Sequence, residues 1–323
     1  GSPLPNVTFT WTSSDGNRAS VSASGVVTAL AQGTVTITAS ASGLSGAATL
    51  ALFPCSPGPM TVPAANNPFD LLVSATGIAT LSPTLATSTY KGVRVVFAGG
   101  LLFGTDPLHL ALGYDANGVL APDITGLICG LQLPELKSWA KLFVDTAASA
   151  PPGLAVTQEI FAVANTSYVL FRYVFRNRSA VAITSFYAGF VADWDLTFDN
   201  NPGSDLLRLV PSLGIAVAEE PDTVVYPQRF GLVTIGTGAE SIGGWLNGAD
   251  PATRADYFAR LTGIPALSAI GPGDIRELVG RGSVAIPAGG RYVLYVAVVG
   301  GDNATDFTFN VDAARVKASS LGF

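Results

Sequence analysis

Charged side chains are scarce in this chain of 323 residues, since Asp, Glu, Lys and Arg together make up 12%. An average globular chain carries about 25%. The net charge of −6 gives no excess of basic residues, and binding to the phosphates of nucleic acid requires a basic patch. No apolar run reaches the roughly 18 residues that a membrane-spanning helix needs. These absences argue against a nucleic-acid-binding protein and predict no transmembrane segment.

Histidine and cysteine are also rare. Any Ser-His-Asp or Cys-His site would have to use His109, the single histidine. His109 lies in an alternating run from Leu108 to Leu112, and no Gly-x-Ser-x-Gly elbow is present, so we interpret it as structural. Cys55 and Cys129 are compatible with one disulfide or with two buried thiols, and the sequence leaves both open. No catalytic motif is found, and we predict that the chain is not an enzyme.

Glycine (36) and proline (21) are plentiful, and they separate short runs rich in β-branched and aromatic residues. The turn signals recur at the spacing of a β-sandwich. One helix is predicted over residues 251–261, capped by Asp250 and ended by Gly263. A second is predicted over residues 311–320, capped by Asn310. The predicted fold class is therefore all-β, with one or two short helices.

The first fifty residues contain four strand-like runs whose order is informative. They are Thr10–Asp15, Ala19–Ser22, Ser24–Leu30 and Gly33–Ala39. In order and spacing these runs resemble the bacterial Ig-like domain of group 2, over residues 6 to about 53. The resemblance implies a stalk, spacer or adhesive repeat of an extracellular protein, with no chemistry of its own.

The resemblance is incomplete, because the strands that should precede Trp11 are absent. A truncated sandwich would expose the inner faces of Trp11, Val27, Val35 and Ile37, which is unfavourable by about 25 cal/mol per Å². Unpaired strand edges would remain as well. Three explanations stay open: the sequence begins inside the module, the module is a smaller variant, or a strand of another chain completes it. The last would make the protein a polymer subunit.

A proline-rich segment follows, and it breaks regular structure because proline has no backbone N–H to donate. We therefore predict a partial Ig-like domain at residues 1–53, a Pro-rich linker at 54–66 and a large β-sandwich domain at 67–323. Several motifs of the large domain are similar to a β-sandwich module of secreted bacterial proteins, some of which follow subtilisin-like peptidase domains. They are Gln158–Phe161, Val174–Ser179, Tyr187–Asp195, Pro287–Gly290 and Val298–Asp302. This resemblance covers roughly residues 90–318 and implies no particular activity.

The densest polar cluster holds four carboxylates and two amides between positions 193 and 205. Such oxygens suit Ca²⁺, which takes six to eight oxygen ligands. The predicted ligands are Asp193, Asp195, Asp199, Asn201 and Asp205. The alternative is an Asx-rich turn, in which the same side chains accept hydrogen bonds from backbone N–H groups. No other cofactor is predicted.

Together these features predict a non-catalytic, secreted structural or adhesive protein of the bacterial cell surface. A filament or layer subunit, assembled through β-strand contributions between chains, fits best. Its partners would be copies of itself or other cell-surface components, and Trp139, Trp194 and Trp245 leave carbohydrate binding open. The alternative is an accessory or binding module of a larger secreted hydrolase that acts on peptides or glycosides.

Overall fold

The computed structural model of the chain forms two compact units, Gly1–Ser56 and Pro57–Phe323. Both consist mainly of antiparallel strands, which confirms the predicted all-β class. The residues that the structure describes are 7–31, 33–52, 60–62, 66–73, 79–80, 88–113, 141–144, 154–263 and 269–322.

The smaller unit contains a three-stranded sheet and a separate hairpin. Its strands are β1 (Thr10–Ser13), β2 (Ala19–Val21), β3 (Val27–Ala29), β4 (Gly33–Ala41) and β5 (Leu44–Leu52). The sheet has the order β1-β4-β5, and β2 pairs with β3. Threonine, valine and isoleucine alternate along β4, which suits a central strand with one buried face.

The hairpin of β2 and β3 gives the smaller unit a core of its own. Val35 and Ile37 of β4 are 1% and 5% exposed and pack with Ala19 of β2. Trp11 and Val27 are partly buried against them. The expectation that a truncated module exposes Val35 and Ile37 to water is therefore wrong, because the hairpin covers one face of β4.

The larger unit is a sandwich of two sheets. Within the described residues, one sheet has the order β19-β21-β15-β10-β9-β7-β6, with β8 and β11 also paired to β10. The other has the order β12-β13-β14-β22-β18-β17-β16-β20. We call them the nine-stranded and the eight-stranded sheet. The strands are β6 (Met60–Val62), β7 (Phe69–Val73), β8 (Ala79–Thr80), β9 (Ser88–Tyr90), β10 (Val93–Gly104), β11 (Leu110–Leu112), β12 (Lys141–Val144), β13 (Leu154–Ala162), β14 (Tyr168–Asn177), β15 (Ile183–Trp194), β16 (Asp205–Val210), β17 (Ile215–Glu219), β18 (Arg229–Ile235), β19 (Ala239–Leu246), β20 (Ala269–Gly273), β21 (Ile275–Ile286) and β22 (Arg291–Gly301).

The central strands β14, β18 and β22 of the eight-stranded sheet are buried on both faces, and this explains their continuous apolar runs. In β14, Phe171 and Phe175 point into the core between the sheets. Leu170 points the opposite way, into a second core beneath helix α2 (Ala304–Ser320). Helix α1 (Arg254–Gly263) covers the outer face of the nine-stranded sheet in the same manner.

Helix α1 begins later than predicted, because its cap is not Asp250. Thr253 and Asp256 form a reciprocal capping box. The Asp256 N–H donates to Thr253 Oγ1 at 3.2 Å, and the Thr253 N–H donates to Asp256 Oδ2 at 2.9 Å. Asp250 instead accepts a hydrogen bond from Trp245 Nε1 at 2.7 Å.

Helix α2 begins well before the predicted start, because Asn303 and not Asn310 caps it. The Asn303 carboxamide oxygen accepts from the N–H groups of Thr305 and Asp306, each at 3.0 Å. Asn310 is buried within the helix, where its amide donates to the Asp306 carbonyl at 2.8 Å. The Asp302–Asp306 segment, which resembles a turn in sequence, is therefore a helix start.

The core between the sheets contains a tyrosine hydroxyl without a hydrogen bond. Tyr173 of β14 is fully buried, and its Oη has no hydrogen-bond partner in the structure. Burial holds the pKa of this phenol well above its ordinary value. An unsatisfied buried hydroxyl costs roughly 1–3 kcal/mol.

Tyr173→Phe should therefore leave the free energy of unfolding unchanged or raise it by about 1 kcal/mol, because the substitution removes only the unpaired hydroxyl. The matched variant Tyr90→Phe should lower it by a similar amount, since Tyr90 Oη donates to Asp302 Oδ1 at 3.1 Å. Urea denaturation of both variants measures the difference. A larger loss for Tyr173→Phe than for Tyr90→Phe would show that the Tyr173 hydroxyl is satisfied in solution.

Candidate functional site

The predicted cation ligands lie in the segment that joins β15 to β16. Asp193 is near the end of β15 and Asp205 is the first residue of β16. The described residues hold no three His, Cys, Asp or Glu side chains grouped closely enough to bind a metal ion together. The five ligands therefore remain a prediction, and their individual partners differ.

Asp193 and Asp195 are both engaged by arginine. Asp193 Oδ1 lies 3.0 Å from Arg276 Nη1, on the neighbouring strand β21. Asp195 Oδ2 lies 2.9 Å from Arg94 Nε. Both carboxylates are nearly buried, and each is compensated by a guanidinium, as a buried charge requires.

Asp199 and Asn201 act as turn residues, which matches the alternative interpretation of this cluster. Asp199 Oδ1 accepts from the Asn201 N–H at 2.6 Å, and Asp199 Oδ2 accepts from Ser204 Oγ at 2.9 Å. The exposed Asn201 carboxamide oxygen accepts from the Gly203 N–H at 3.3 Å. These short-range bonds fix the backbone of the loop.

Asp205 faces a carboxylate that the sequence pattern did not reveal. Strands β16 and β17 pair with Leu206 opposite Glu219, and Asp205 and Glu220 are the next residues beyond this pair. The charge of Glu220 acts on Asp205, so the two carboxylates are close. Asp205 and Glu220 are 0% and 1% exposed, respectively.

Both carboxylates accept hydrogen bonds from backbone N–H groups of the β15–β16 loop. Asp205 Oδ2 accepts from the Leu196 N–H at 3.0 Å. Glu220 Oε1 accepts from the N–H groups of Phe198 at 3.0 Å and Asp199 at 3.3 Å. Each carboxylate thus uses one oxygen to order the loop.

The electrostatic environment of this pair disfavours two negative charges. Burial raises the pKa of Asp205 to about 9, and the charges of Glu220, Asp195 and Asp199 act in the same direction. Burial, together with the nearby Asp199, raises the pKa of Glu220 to about 7, although backbone hydrogen bonds oppose the shift. At neutral pH the pair therefore does not carry two full charges without compensation.

Another buried carboxylate lies between the two sheets. Glu277 of β21 is 0% exposed, and its Oε2 accepts from Trp194 Nε1 at 2.8 Å. The Leu232 N–H of β18 donates to the same oxygen at 3.2 Å. Burial raises the pKa of Glu277 to about 8, even though these hydrogen bonds favour the charged form. Glu277 therefore joins the two sheets from inside the core.

His109 is not inside a strand, as the alternation predicted, but in the turn before β11. Its Nδ1 lies 2.8 Å from Asp106 Oδ2. Burial tends to raise the pKa of Asp106, but hydrogen bonds from His109 and Thr105 outweigh it and hold the pKa low. The pair borders a cavity of about 610 Å³ that Ser179 also lines. Ser179 Oγ donates to Asn177 Oδ1 at 2.7 Å, so it is held by a neighbouring side chain.

The remaining predictions concern three tryptophans, two cysteines and the lack of a membrane-spanning helix. Trp194 and Trp245 are 0% and 4% exposed, so they anchor the core and offer no face to a sugar. Trp139, Cys55 and Cys129 lie outside the described residues. Within the described residues, no helix has the length and apolar character needed to span a bilayer.

The comparison with protein families confirms the first resemblance. Residues 3–51 match the family model of the bacterial Ig-like domain, group 2. This part of the chain is thus an Ig-like module of a class that occurs in extracellular bacterial proteins. The similarity of the large domain to modules that follow subtilisin-like peptidases stays a prediction.

The comparisons with curated proteins and with solved structures give no match or only distant similarity. No curated protein matches the chain. A bacterial glucoamylase complexed with acarbose shares 12% identity and a TM-score of 0.49, over 84% of this chain and 36% of its own. The Slr1438 protein from Synechocystis sp. PCC 6803 shares 9% identity and a TM-score of 0.45, over 78% of this chain and 98% of its own. The chain spans about a third of the length of the glucoamylase, and similarities this low support no statement about function.

Proposed function

We propose that this chain is a non-catalytic, secreted structural or adhesive protein of the bacterial surface, and that copies assemble edge to edge through the Ig-like unit into a filament or layer. The observation that carries the proposal is the outer edge of β5. This strand pairs with β4 over nine consecutive residues, from Gly33↔Leu52 to Ala41↔Leu44, without a bulge. Within the described residues its other edge has no partner strand.

The edge of β5 lacks the usual protection against pairing. Natural edge strands carry lysine, proline or a bulge, or are short. Strand β5 has nine residues and contains neither a charged residue nor a proline. Residues 44–49 are exposed on both faces of the strand, and Leu44 is 78% exposed. Such an edge is a template for another strand.

A partner chain would also stabilise the smaller unit by burying apolar surface. Few of its described apolar residues are buried, and a core of this size is marginal for a free-standing domain. The buried set is Ala19, Val35, Ile37 and Leu52. Several apolar side chains are left exposed in the same unit, namely Phe9, Val26, Leu30 and Leu44.

The partner we propose is the β1 edge of a second copy. Strand β1 is the other edge of the same sheet, and in the described part of the chain it too pairs only with β4. Pairing of β5 with a neighbour's β1 uses two different surfaces, so it is heterologous and does not close on itself. Repetition of this contact gives an open filament.

The variant Ser45→Lys with Ala47→Lys tests the proposal. Both residues are exposed and lie on the same face of β5, so two charges should weaken strand pairing at least tenfold with little effect on folding. Light scattering should give particles of many copies for the unaltered protein and a mass near 33.1 kDa for the variant. The control Val224→Lys with Val225→Lys adds the same charge to an exposed loop of the larger unit and should assemble normally.

Two outcomes would contradict this account. A monomer of the unaltered protein at every concentration would remove assembly altogether. A particle that stops at two copies would mean that β5 pairs with its own equivalent in a closed contact, and no filament would follow.

A further inference from the structure

The opposed carboxylates of Asp205 and Glu220 face the core between the sheets. Leu207 and Ala218 belong to that core, and side chains two residues apart on a strand share a face. Asp205 precedes Leu207 by two residues, and Glu220 follows Ala218 by two. Two acids of the same charge are therefore placed side by side at the end of an apolar interior, where like charges are destabilising.

One oxygen of each carboxylate has no partner. Asp205 Oδ1 and Glu220 Oε2 are fully buried and form no hydrogen bond in the structure. The other oxygen of each is bound to the loop backbone, at Leu196 for Asp205 and at Phe198 and Asp199 for Glu220. Buried carboxylate oxygens without partners are costly, and native proteins rarely leave them so.

No basic side chain of the described residues forms an ion pair with either acid. The nearest negative charges include Asp195 and Asp199, which act on Asp205. Arg94, the cation that lies close to this region, is bound to Asp195 at 2.9 Å. The site therefore holds two acids that no cation of the described residues pairs with, and two unfilled acceptor atoms on the same side of one strand pair.

We propose that Asp205 and Glu220 bind a divalent cation of the calcium type, with Asp205 Oδ1 and Glu220 Oε2 as its protein carboxylate ligands. Calcium accepts backbone carbonyl and water oxygens beside carboxylates, so two carboxylates are sufficient protein charge for a weak extracellular site. Glu220 replaces Asp193 and Asp195 of the set predicted from spacing, because those two are neutralised by Arg276 and Arg94. The ion would fasten the β15–β16 loop, whose backbone the same two acids hold. This site is independent of the proposed assembly through β5.

Calcium titration of the full chain tests this inference. Extracellular calcium sites have dissociation constants of about 10⁻⁴ to 10⁻³ M, so calcium at about 10 mM should raise the melting temperature by about 5 °C. Isothermal titration calorimetry of the unaltered protein should show one bound calcium per chain, and a chelator should reverse the thermal shift.

Two variants test whether Asp205 and Glu220 bind the ion. Asp205→Asn and Glu220→Gln should each reduce calcium affinity at least tenfold and abolish most of the thermal shift. The control Asp312→Asn removes a carboxylate that is 67% exposed on α2, and it should keep the full response. If one variant fails to fold, the other and the calorimetry on the unaltered chain still decide the matter.

The inference would be overturned by an unaltered protein that binds no calcium in the millimolar range. A calcium response that survives both Asp205→Asn and Glu220→Gln would overturn it equally. In the first case a proton shared between the two acids would be the compensation, and in the second the ion would bind elsewhere on the chain.

Discussion

Glu277→Gln should clearly reduce the fall in stability that the protein shows between about pH 5 and pH 8, a fall to which the raised pKa values of Asp205 and Glu220 also contribute. The Glu277 carboxyl ordinarily titrates at 4.5, but in the folded protein burial raises its pKa to about 8. Between these values the folded state holds a proton that the unfolded state has released. The stabilisation is fully present below about pH 4.5 and is lost as the pH rises through about 8.

The melting temperature of the unaltered protein should therefore be at least about 5 °C lower near pH 8 than near pH 5. Glutamine has the same shape and keeps a carbonyl oxygen for the Trp194 Nε1 and Leu232 N–H donors, but it cannot ionise. The Glu277→Gln variant should have a flatter profile and exceed the unaltered protein in stability near pH 8. Thermal melting across the pH range measures both.

The matched control is Glu240→Gln, on the adjacent strand β19. Glu240 is partly exposed and pairs with Arg281 at 2.8 Å. The Glu240→Gln variant should retain the pH dependence of the unaltered protein. If Glu277→Gln keeps the full pH dependence, Glu277 is not one of the groups whose protonation stabilises the sandwich.

Gly301→Ala should be among the most damaging single-methyl additions in the larger unit. Gly301 ends β22, directly before the segment that caps α2. A Cβ at this position would overlap the backbone nitrogen and Cα of Phe307, which are not free to move aside. Phe307 is 2% exposed and packs in the core beneath α2. The helix would have to shift on its sheet, and overpacking of this kind costs about 1–3 kcal/mol or more.

Urea denaturation of Gly301→Ala measures this loss. Gly263→Ala serves as the control, because Gly263 is the last residue of α1 and a Cβ there meets no atom within 4 Å. That variant should stay within about 0.5 kcal/mol of the unaltered protein. Equal stability of the two variants would mean that α2 does not approach Gly301 as closely in solution.

The strands of the smaller unit could be predicted because their signals are local. Threonine and valine alternate along β4, Gly33 begins the strand, and Gly43 lies in the turn that follows it. The cover that the β2–β3 hairpin gives to Val35 and Ile37 was not predictable in this way. That contact depends on packing between segments that no sequence period connects.

The position of Glu220 at the candidate site could not be predicted either, because it too depends on which strands pair. Glu220 follows Glu219, and nothing local distinguishes the two acids. In the structure Glu219 is buried on the face of the sheet that carries Val217 and pairs with Arg208 and Arg229, at 3.0 and 2.6 Å, while Glu220 continues the face of Ala218. The alternation along β17 contains this information, but only once β16 and β17 are known to pair. The predicted cation ligands came from sequence proximity, which placed Asp193 and Asp205 in one cluster although their partners differ.

The position of a helix start was also hard to fix from sequence. Asn303 and Asn310 are both suitable caps, and the choice depends on which one lies at the end of β22. The buried face of α2, formed by Phe307, Val311 and Ala314, begins before Asn310. Tertiary packing therefore decided between two equally good local signals.

Amide hydrogen exchange along β5 is the most direct test of assembly through the strand edge. If β5 pairs with the four-residue β1 edge of a neighbour, the outward N–H groups within Leu44–Leu52 that lie opposite β1 should exchange at least tenfold more slowly in the assembled protein than in dilute monomer. Amides of Ile37–Ser40 in β4, which lies between β1 and β5 over these residues, serve as the internal reference and should change less. Unchanged exchange along β5 in particles of many copies would contradict the central claim, because assembly would then use another surface.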